Sequence, residues 1–189
     1  KAARRLSRSV HIDVMDGRFV TTRSVGPAAL RHLPSGVYEL HCMVADPLPW
    51  VAVAVAAKIK RVIIHAESPS ARQAVLAARR FGLACAIALR PSTPWRRAKR
   101  FHGLIDRVVC LGVQPGANGR PWQRGVLVTL RALRRHWPAI VRGVDGGVSL
   151  KTIAAVREAG AEGCAVGSAI QRSSDPRGAY QRLRRQLRA

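Results

Sequence analysis

The sequence predicts an α/β fold in which parallel strands alternate with helices, and three observations carry that reading. Seven short apolar runs recur along the chain, at Val10–Val14, Val37–Met43, Arg61–Ile64, Leu83–Leu89, Arg107–Leu111, Ile140–Val144 and Gly163–Val166. Several of the segments between them carry helix start and stop residues. The runs are nearly continuous apolar stretches rather than apolar–polar alternations, as expected of strands covered on both faces by crossover helices.

Taken in order, the first run opens on His11, and His11, Asp13 and Met15 alternate, so in a strand they share one face. In the second, His41 closes the apolar stretch Val37–Leu40 and Met43 follows two residues later. After the third, Ser68-Pro69 reads as an N-cap and first-turn proline for a helix over Ala71–Phe81, which Gly82 ends. The fourth and fifth runs follow, and the glycine-rich stretch Gly116–Gly119 lies behind the fifth. Asp145 closes the sixth and opens a Gly146-Gly147 turn; Ser149 then reads as the cap of a helix over Leu150–Ala159 that stops at Gly160. Gly167-Ser168 follow the seventh run, and Asp175-Pro176 open a last helix whose Tyr180, Leu183 and Leu187 form an apolar stripe.

The polar residues at the strand ends choose among α/β architectures. His11, Asp13, His41 and Asp145 form an N/O donor set that suits a divalent cation such as Zn, Mn, Fe or Co. They sit at the C-terminal ends of strands well separated in sequence. A TIM (β/α)8 barrel converges such ends on one mouth, whereas an open sheet spreads them along an edge. The barrel needs eight strands and the sequence offers seven. The first strand is therefore expected to precede Lys1, with residues 1–9 the tail of the helix after it. On this reading residues 1–189 are one barrel domain, N-terminally incomplete. Three glycine loops after the late strands, Gly116 to Gly119, Gly146-Gly147 and Gly167-Ser168, offer backbone N–H groups suited to a phosphate.

Composition narrows the function classes. A hydrophobic content of 48% over 189 residues supports one sizeable core. The most apolar stretch, Trp50–Ala57, is too short to span a membrane, and residues 1–9 lack the apolar stretch of a secretory signal. Cys42, Cys85, Cys110 and Cys164 lie in or beside apolar runs and form no Cys-x-x-Cys pair, which reads as buried thiols in a reducing cytoplasm. The net charge is +23, from 33 Lys and Arg against 10 acids. Its basic groups, such as Arg96-Arg97-Lys99-Arg100, Arg134-Arg135 and Arg182-Arg184-Arg185-Arg188, lie in different elements, and Trp95, Trp122 and Trp137 build no stacking platform. Solvated helix faces come first among the readings, steering of a small anionic substrate second and nucleic-acid binding third.

The chain resembles the ribulose-phosphate 3-epimerase family from about Val10 to its C-terminus. The motifs are His-Ile-Asp-Val-Met-Asp-Gly-Arg-Phe-Val (11–20), His-Cys-Met-Val-Ala-Asp-Pro (41–47), His-Ala-Glu (65–67), Gln-Pro-Gly-Ala-Asn-Gly (114–119), Val-Asp-Gly-Gly-Val (144–148) and Val-Gly-Ser-Ala-Ile (166–170). The resemblance implies one divalent metal ion held by His11, Asp13, His41 and Asp145. It implies that Asp13 and Asp145 double as acid and base on opposite faces of C3, exchanging a proton through an enediolate. Met15 and Met43 match methionines that line the family's site; a third such position is Leu111 here. His65 and Glu67 match a strand end and read as supporting groups rather than ligands.

Departures from the family pattern are the missing first-strand serine, Thr21-Thr22 in place of Pro-Asn, and Gly116-Ala117-Asn118-Gly119-Arg120 in place of Gly-Phe-Gly-Gly-Gln. The activity expected is C3 epimerisation of a phosphorylated ketose, D-ribulose 5-phosphate first. The alternatives are allulose 6-phosphate, or a non-catalytic barrel that binds sugar phosphate or nucleic acid. A cytoplasmic homo-oligomer acting on a small phosphorylated sugar is expected, with neither a membrane nor a specific nucleic acid as partner.

Overall fold

The structure is a computed structural model and describes residues 2–7, 9–116 and 119–189. The chain forms two compact units, Lys1–Ala88 with Ala98–Asp106, and Leu89–Arg97 with Arg107–Ala189. Each of the seven apolar runs is a strand, with ends moved by one residue at most. Asn118, singled out above for its loop, lies outside the described residues.

The first unit runs α1 (Ala2–Leu6), β1 (Ser9–Met15), α2 (Pro27–Leu30), β2 (Val37–Met43), α3 (Leu48–Ala56), β3 (Arg61–His65), α4 (Ala71–Arg80) and β4 (Ala84–Leu89). Its strand pairs are all parallel: β1 with β2, β2 with β3, and β3 with β4. Val14, Leu40, Ile63, Ile64 and Ile87 are at most 1% exposed and form the sheet side of its core. The amphipathic α4 buries Ala71, Ala74, Val75 and Ala78 and ends on Arg79 and Arg80, whose charges suit the negative end of the helix dipole. A short 3₁₀ helix occupies Trp95–Phe101.

The second unit runs β5 (Arg107–Leu111), α5 (Gly125–His136), β6 (Val141–Asp145), α6 (Ile153–Glu158), β7 (Gly163–Ala165), α7 (Ser168–Gln171) and α8 (Pro176–Arg188). Here β5 pairs with β6 and β6 with β7, again in parallel. Leu130 and Leu133 of α5, Ile153 and Val156 of α6, and Leu183 of α8 are buried with Val108, Cys110 and Val144.

Two of the predicted caps are corrected. Ser68 does not cap α4: the N-cap position is Ser70, and the buried Ser68 Oγ donates to the Val44 carbonyl at 3.0 Å. The helix expected from Leu150 begins three residues later. The Ser149 N–H donates to Thr152 Oγ1 at 2.9 Å, and the Ser149 carbonyl accepts from Thr152 and Ile153 at 3.1 and 2.9 Å. Such local side-chain bonds offer the backbone a turn in place of the first helical turn. Asp175 caps α8 as expected, accepting from the Gly178 N–H at 2.8 Å.

The basic residues lie mostly on exposed helix faces; in α8, Arg177, Arg182, Arg184, Arg185 and Arg188 face out while Ala179 and Leu183 are buried. All four cysteines are free, and burial pushes Cys42, Cys110 and Cys164 up to about 12 and Cys85 to about 11. Such thiols do not act as nucleophiles at neutral pH. Among the described residues, no helix is long and apolar enough to cross a membrane.

Among the described residues, Arg142 is a buried basic side chain, at 8% exposure. Its guanidinium donates to the carbonyls of Gly160 (2.8 Å), Pro138 (3.1 Å) and Ile140 (2.8 Å) and pairs with Glu162 at 2.9 Å. It thereby ties the start of β6 to the α6–β7 connection. Removing a buried, fully bonded charge costs about 3 kcal/mol because its partners are left unsatisfied. Arg142→Ala is therefore expected to lower stability by about that amount in urea unfolding. Arg182→Ala, which loses only a 3.7 Å exposed contact to Asp175, is expected to change stability by less than about 1 kcal/mol. Equal effects would refute the assignment.

Candidate active site

The parallel register of β1 on β2 sets three residue pairs opposite one another: His11 with Glu39, Asp13 with His41, and Met15 with Met43. The period-two rule puts all six on one face of the pair. Bonds follow the register. His11 Nδ1 lies 3.0 Å from Glu39 Oε1, and Asp13 Oδ1 lies 3.0 Å from His41 Nδ1 and 3.3 Å from His11 Nε2. From β3, the fully buried His65 brings its Nε2 to 3.0 Å from His41 Nε2, while its Nδ1 lies 3.1 Å from Glu67 Oε2. The His41 and His65 rings stack at 5.0 Å with an 18° tilt, and Phe19 leans on His65 at 4.7 Å.

Burial acts to raise the Asp13 carboxyl. Hydrogen bonds and attraction from His11 and His41 outweigh it and hold the group well below the ordinary carboxylate range. With a cation in place of the ring protons that bond Asp13, the donor–acceptor pattern sets where the neutral rings keep their protons. Glu39 accepts only, so His11 carries its proton on Nδ1 and a lone pair on Nε2. Glu67 likewise draws the His65 proton to Nδ1. His65 Nε2 then accepts from His41 Nε2–H, and His41 Nδ1 carries the lone pair. Two imidazole lone pairs and a carboxylate would then be turned to that cation; the ligand atoms of His11, Asp13, His41 and Asp145 lie within 4.8 Å of one another. The N/O chemistry of this donor set fits a divalent transition ion.

Asp16, in the same motif, is a clamp rather than a ligand. Its Oδ1 accepts from the Arg18 and Phe19 N–H groups at 2.8 and 2.9 Å, and its Oδ2 from the Ala45 N–H at 2.7 Å. It ties the turn after β1, which includes Gly17 at φ 74°, to the turn after β2. Burial opposes its ionised form, but the hydrogen bonds to Phe19, Ala45 and Arg18 hold its pKa below the usual value. Met43 is 5% exposed, and Met15 is half-buried with its N–H bonded to Ser24 Oγ at 2.9 Å.

In the second unit, Asp145 ends β6 with Leu111 as its register partner on β5 and Ala165 on β7. Its carbonyl accepts from the Gly112 N–H at 2.8 Å. Gly146 (φ 84°) and Gly147 (φ 71°) form the turn behind it. A Cβ on Gly147 would lie 2.7 Å from the Trp122 ring, and one on Gly112 would clash with the edge of that ring. Trp122 thus packs over the two glycine turns after β5 and β6. Gly116 (φ 99°) and Gly119 (φ 79°) flank residues outside those described. Gly167 and Ser168 are exposed at the start of α7.

Glu39 escaped the sequence reading. A carboxylate inside an apolar strand, two residues before His41, is the signal that marks it. Trp122 escaped it as well, because no local pattern announces which ring will cover a glycine.

Comparison with known proteins fixes the family. The model of the ribulose-phosphate 3 epimerase family matches residues 1–171. The ribulose-phosphate 3-epimerase of Schizosaccharomyces pombe is 28% identical over 182 residues, covering 93% of this chain and 80% of the relative. That of Synechocystis is 32% identical over 173 residues, covering 85% and 74%. Among solved structures, KGPDC from Streptococcus mutans aligns at a TM-score of 0.73 and 13% identity over 97% of this chain and 86% of its own. The 3-hexulose-6-phosphate synthase of Salmonella typhimurium aligns at 0.68 and 17% over 85% and 77%. At these identities the likeness shows the fold alone, the α/β TIM barrel. The motifs, the strand-end residues and these relatives agree: the chain belongs to the ribulose-phosphate 3-epimerase family, and it is an isomerase of the epimerase type.

Proposed function

We propose that the chain epimerises D-ribulose 5-phosphate to D-xylulose 5-phosphate at C3, with one divalent metal ion as cofactor. The observation that carries this reading is the Asp13 carboxylate flanked by His11 Nε2 and His41 Nδ1 at 3.3 and 3.0 Å, in a chain of this family. His11, Asp13, His41 and Asp145 each offer one nitrogen or oxygen ligand atom and are assigned as the metal's holders. When bound, a divalent ion of the Zn, Mn, Fe or Co kind supplies Lewis-acid stabilisation of the charge that develops on the substrate oxygens.

The two aspartates are assigned the proton work. The C3 proton is acidic because it lies next to the C2 carbonyl. One carboxylate takes it, the electron pair passes into the C2–C3 enediolate, and the other carboxylate returns a proton to the opposite face of C3. The reverse reaction exchanges their roles. Asp13, held as an anion by two histidines, is equipped to accept a proton only when substrate and cation alter its surroundings. Met15 and Met43 give the reacting carbons an apolar, polarisable wall. The backbone N–H groups of Gly116, Gly119, Gly146, Gly147, Gly167 and Ser168 are assigned to the substrate phosphate. The +23 charge raises the local concentration of such a dianion, and a cytoplasmic location agrees with four free thiols.

Turnover assays on the two candidate sugars test the substrate. Conversion of D-ribulose 5-phosphate is expected to exceed that of allulose 6-phosphate. The reverse preference would replace the pentulose by the hexulose, and inactivity on both would overturn the reading. Asp145→Asn removes one proton carrier and is expected to lower kcat by about 10²–10⁴ while the circular dichroism spectrum is unchanged. Near-normal turnover would remove Asp145 from the mechanism.

A further inference from the structure

We propose that Glu39, and Glu67 acting through His65, are positioning residues that set which nitrogen each histidine ligand presents to the metal: Nε2 of His11 and Nδ1 of His41. The inference rests on the metal reading above and assigns roles to three residues outside the ligand set.

The two arms differ in construction. Glu39 reaches His11 directly at Nδ1, at 3.0 Å. Glu67 reaches His41 through an intermediate ring, with contacts of 3.1 Å to His65 Nδ1 and 3.0 Å from His65 Nε2 to His41 Nε2. An acceptor-only carboxylate at the outer end of each arm fixes the proton positions along it. A single ring carries the effect from Nδ1 to Nε2 in His11. Two rings in series carry it from Glu67 to His41 Nδ1. Both arms end at the same atom, Asp13 Oδ1, at 3.3 and 3.0 Å. Both His41 and His65 side chains are 0% exposed, and those of Glu39 and Glu67 are 16% and 18% exposed. Water is therefore a poor substitute partner, and carboxylates this buried persist where they are hydrogen-bonded. His65 spends both ring nitrogens on His41 and Glu67, which makes it a link and not a ligand.

Outer partners of this kind typically change metal affinity about 10–100-fold. The test uses Zn²⁺ as the probe, with affinity read by competition against a chromophoric chelator and protons read by the side-chain ¹⁵N spectrum of the histidines. Glu39→Ala and Glu67→Ala are each expected to weaken Zn²⁺ about 10–100-fold, with partial rescue by Glu39→Asp and Glu67→Gln, which keep an acceptor. In the Zn²⁺-loaded wild type, His11 is expected to carry its proton on Nδ1 and His41 on Nε2. Wild-type affinity in folded alanine variants would overturn the proposal. So would the opposite proton assignment in the unaltered protein, a result that stands even if a variant does not fold. If the wild-type protein binds no Zn²⁺, it is the metal reading itself that falls.

Discussion

The register between the first two strands governs the rest of the site. Asp13 stands opposite His41, and that alignment sets a carboxylate oxygen 3.0 Å from an imidazole nitrogen without any loop to guide it. A slip by one residue would turn His11, Asp13 and Met15 to the other face of the sheet and separate every pair at once. The turns that follow both strands are joined by Asp16, which spans from Arg18 and Phe19 to Ala45. Strands carry the paired polar groups, and a charged clamp holds the loops that follow them. Sites on such elements keep their geometry better than sites on loops.

Buried polar groups are costly, and this first unit holds an unusual concentration of them. His41 and His65 are fully enclosed and two glutamates lie close behind. The arrangement is tolerable because each ring nitrogen has a partner of stated distance. It also leaves unlike roles for like residues. Asp13 faces two histidines, Asp16 faces three backbone N–H groups, and Glu39 and Glu67 each face one ring. Asp13 is thus turned to the histidines and Asp16 to the loop backbone, although the two stand three positions apart in one motif.

Much of this was legible in the sequence, and the parts that were not share a cause. Strand positions followed from apolar runs such as Val62–Ile64, because fully covered strands leave a local signature. The metal-ligating types His11, Asp13 and His41 stood out as polar residues at the ends of those runs. Glu39 did not, since a glutamate within a strand is read as an edge or a solvent position until its partner, 28 residues away, is known. Ser68 and Ser149 were misread as caps because each has a competing bond, to the Val44 carbonyl in one case and to Thr152 in the other. Local pattern reports local preference; contacts between distant segments decide among the alternatives it allows.

In the proposed metal centre His11 and His41 meet at Asp13, and the ion is held through nitrogen and oxygen alone. X-ray absorption spectroscopy at the metal edge of the metal-loaded protein tests it most directly. The expected spectrum is a shell of nitrogen and oxygen donors with the multiple-scattering pattern of two imidazoles, at distances of about 2.0–2.2 Å if the ion is zinc. A sulfur donor at about 2.3 Å, or a shell that lacks imidazole, would contradict it.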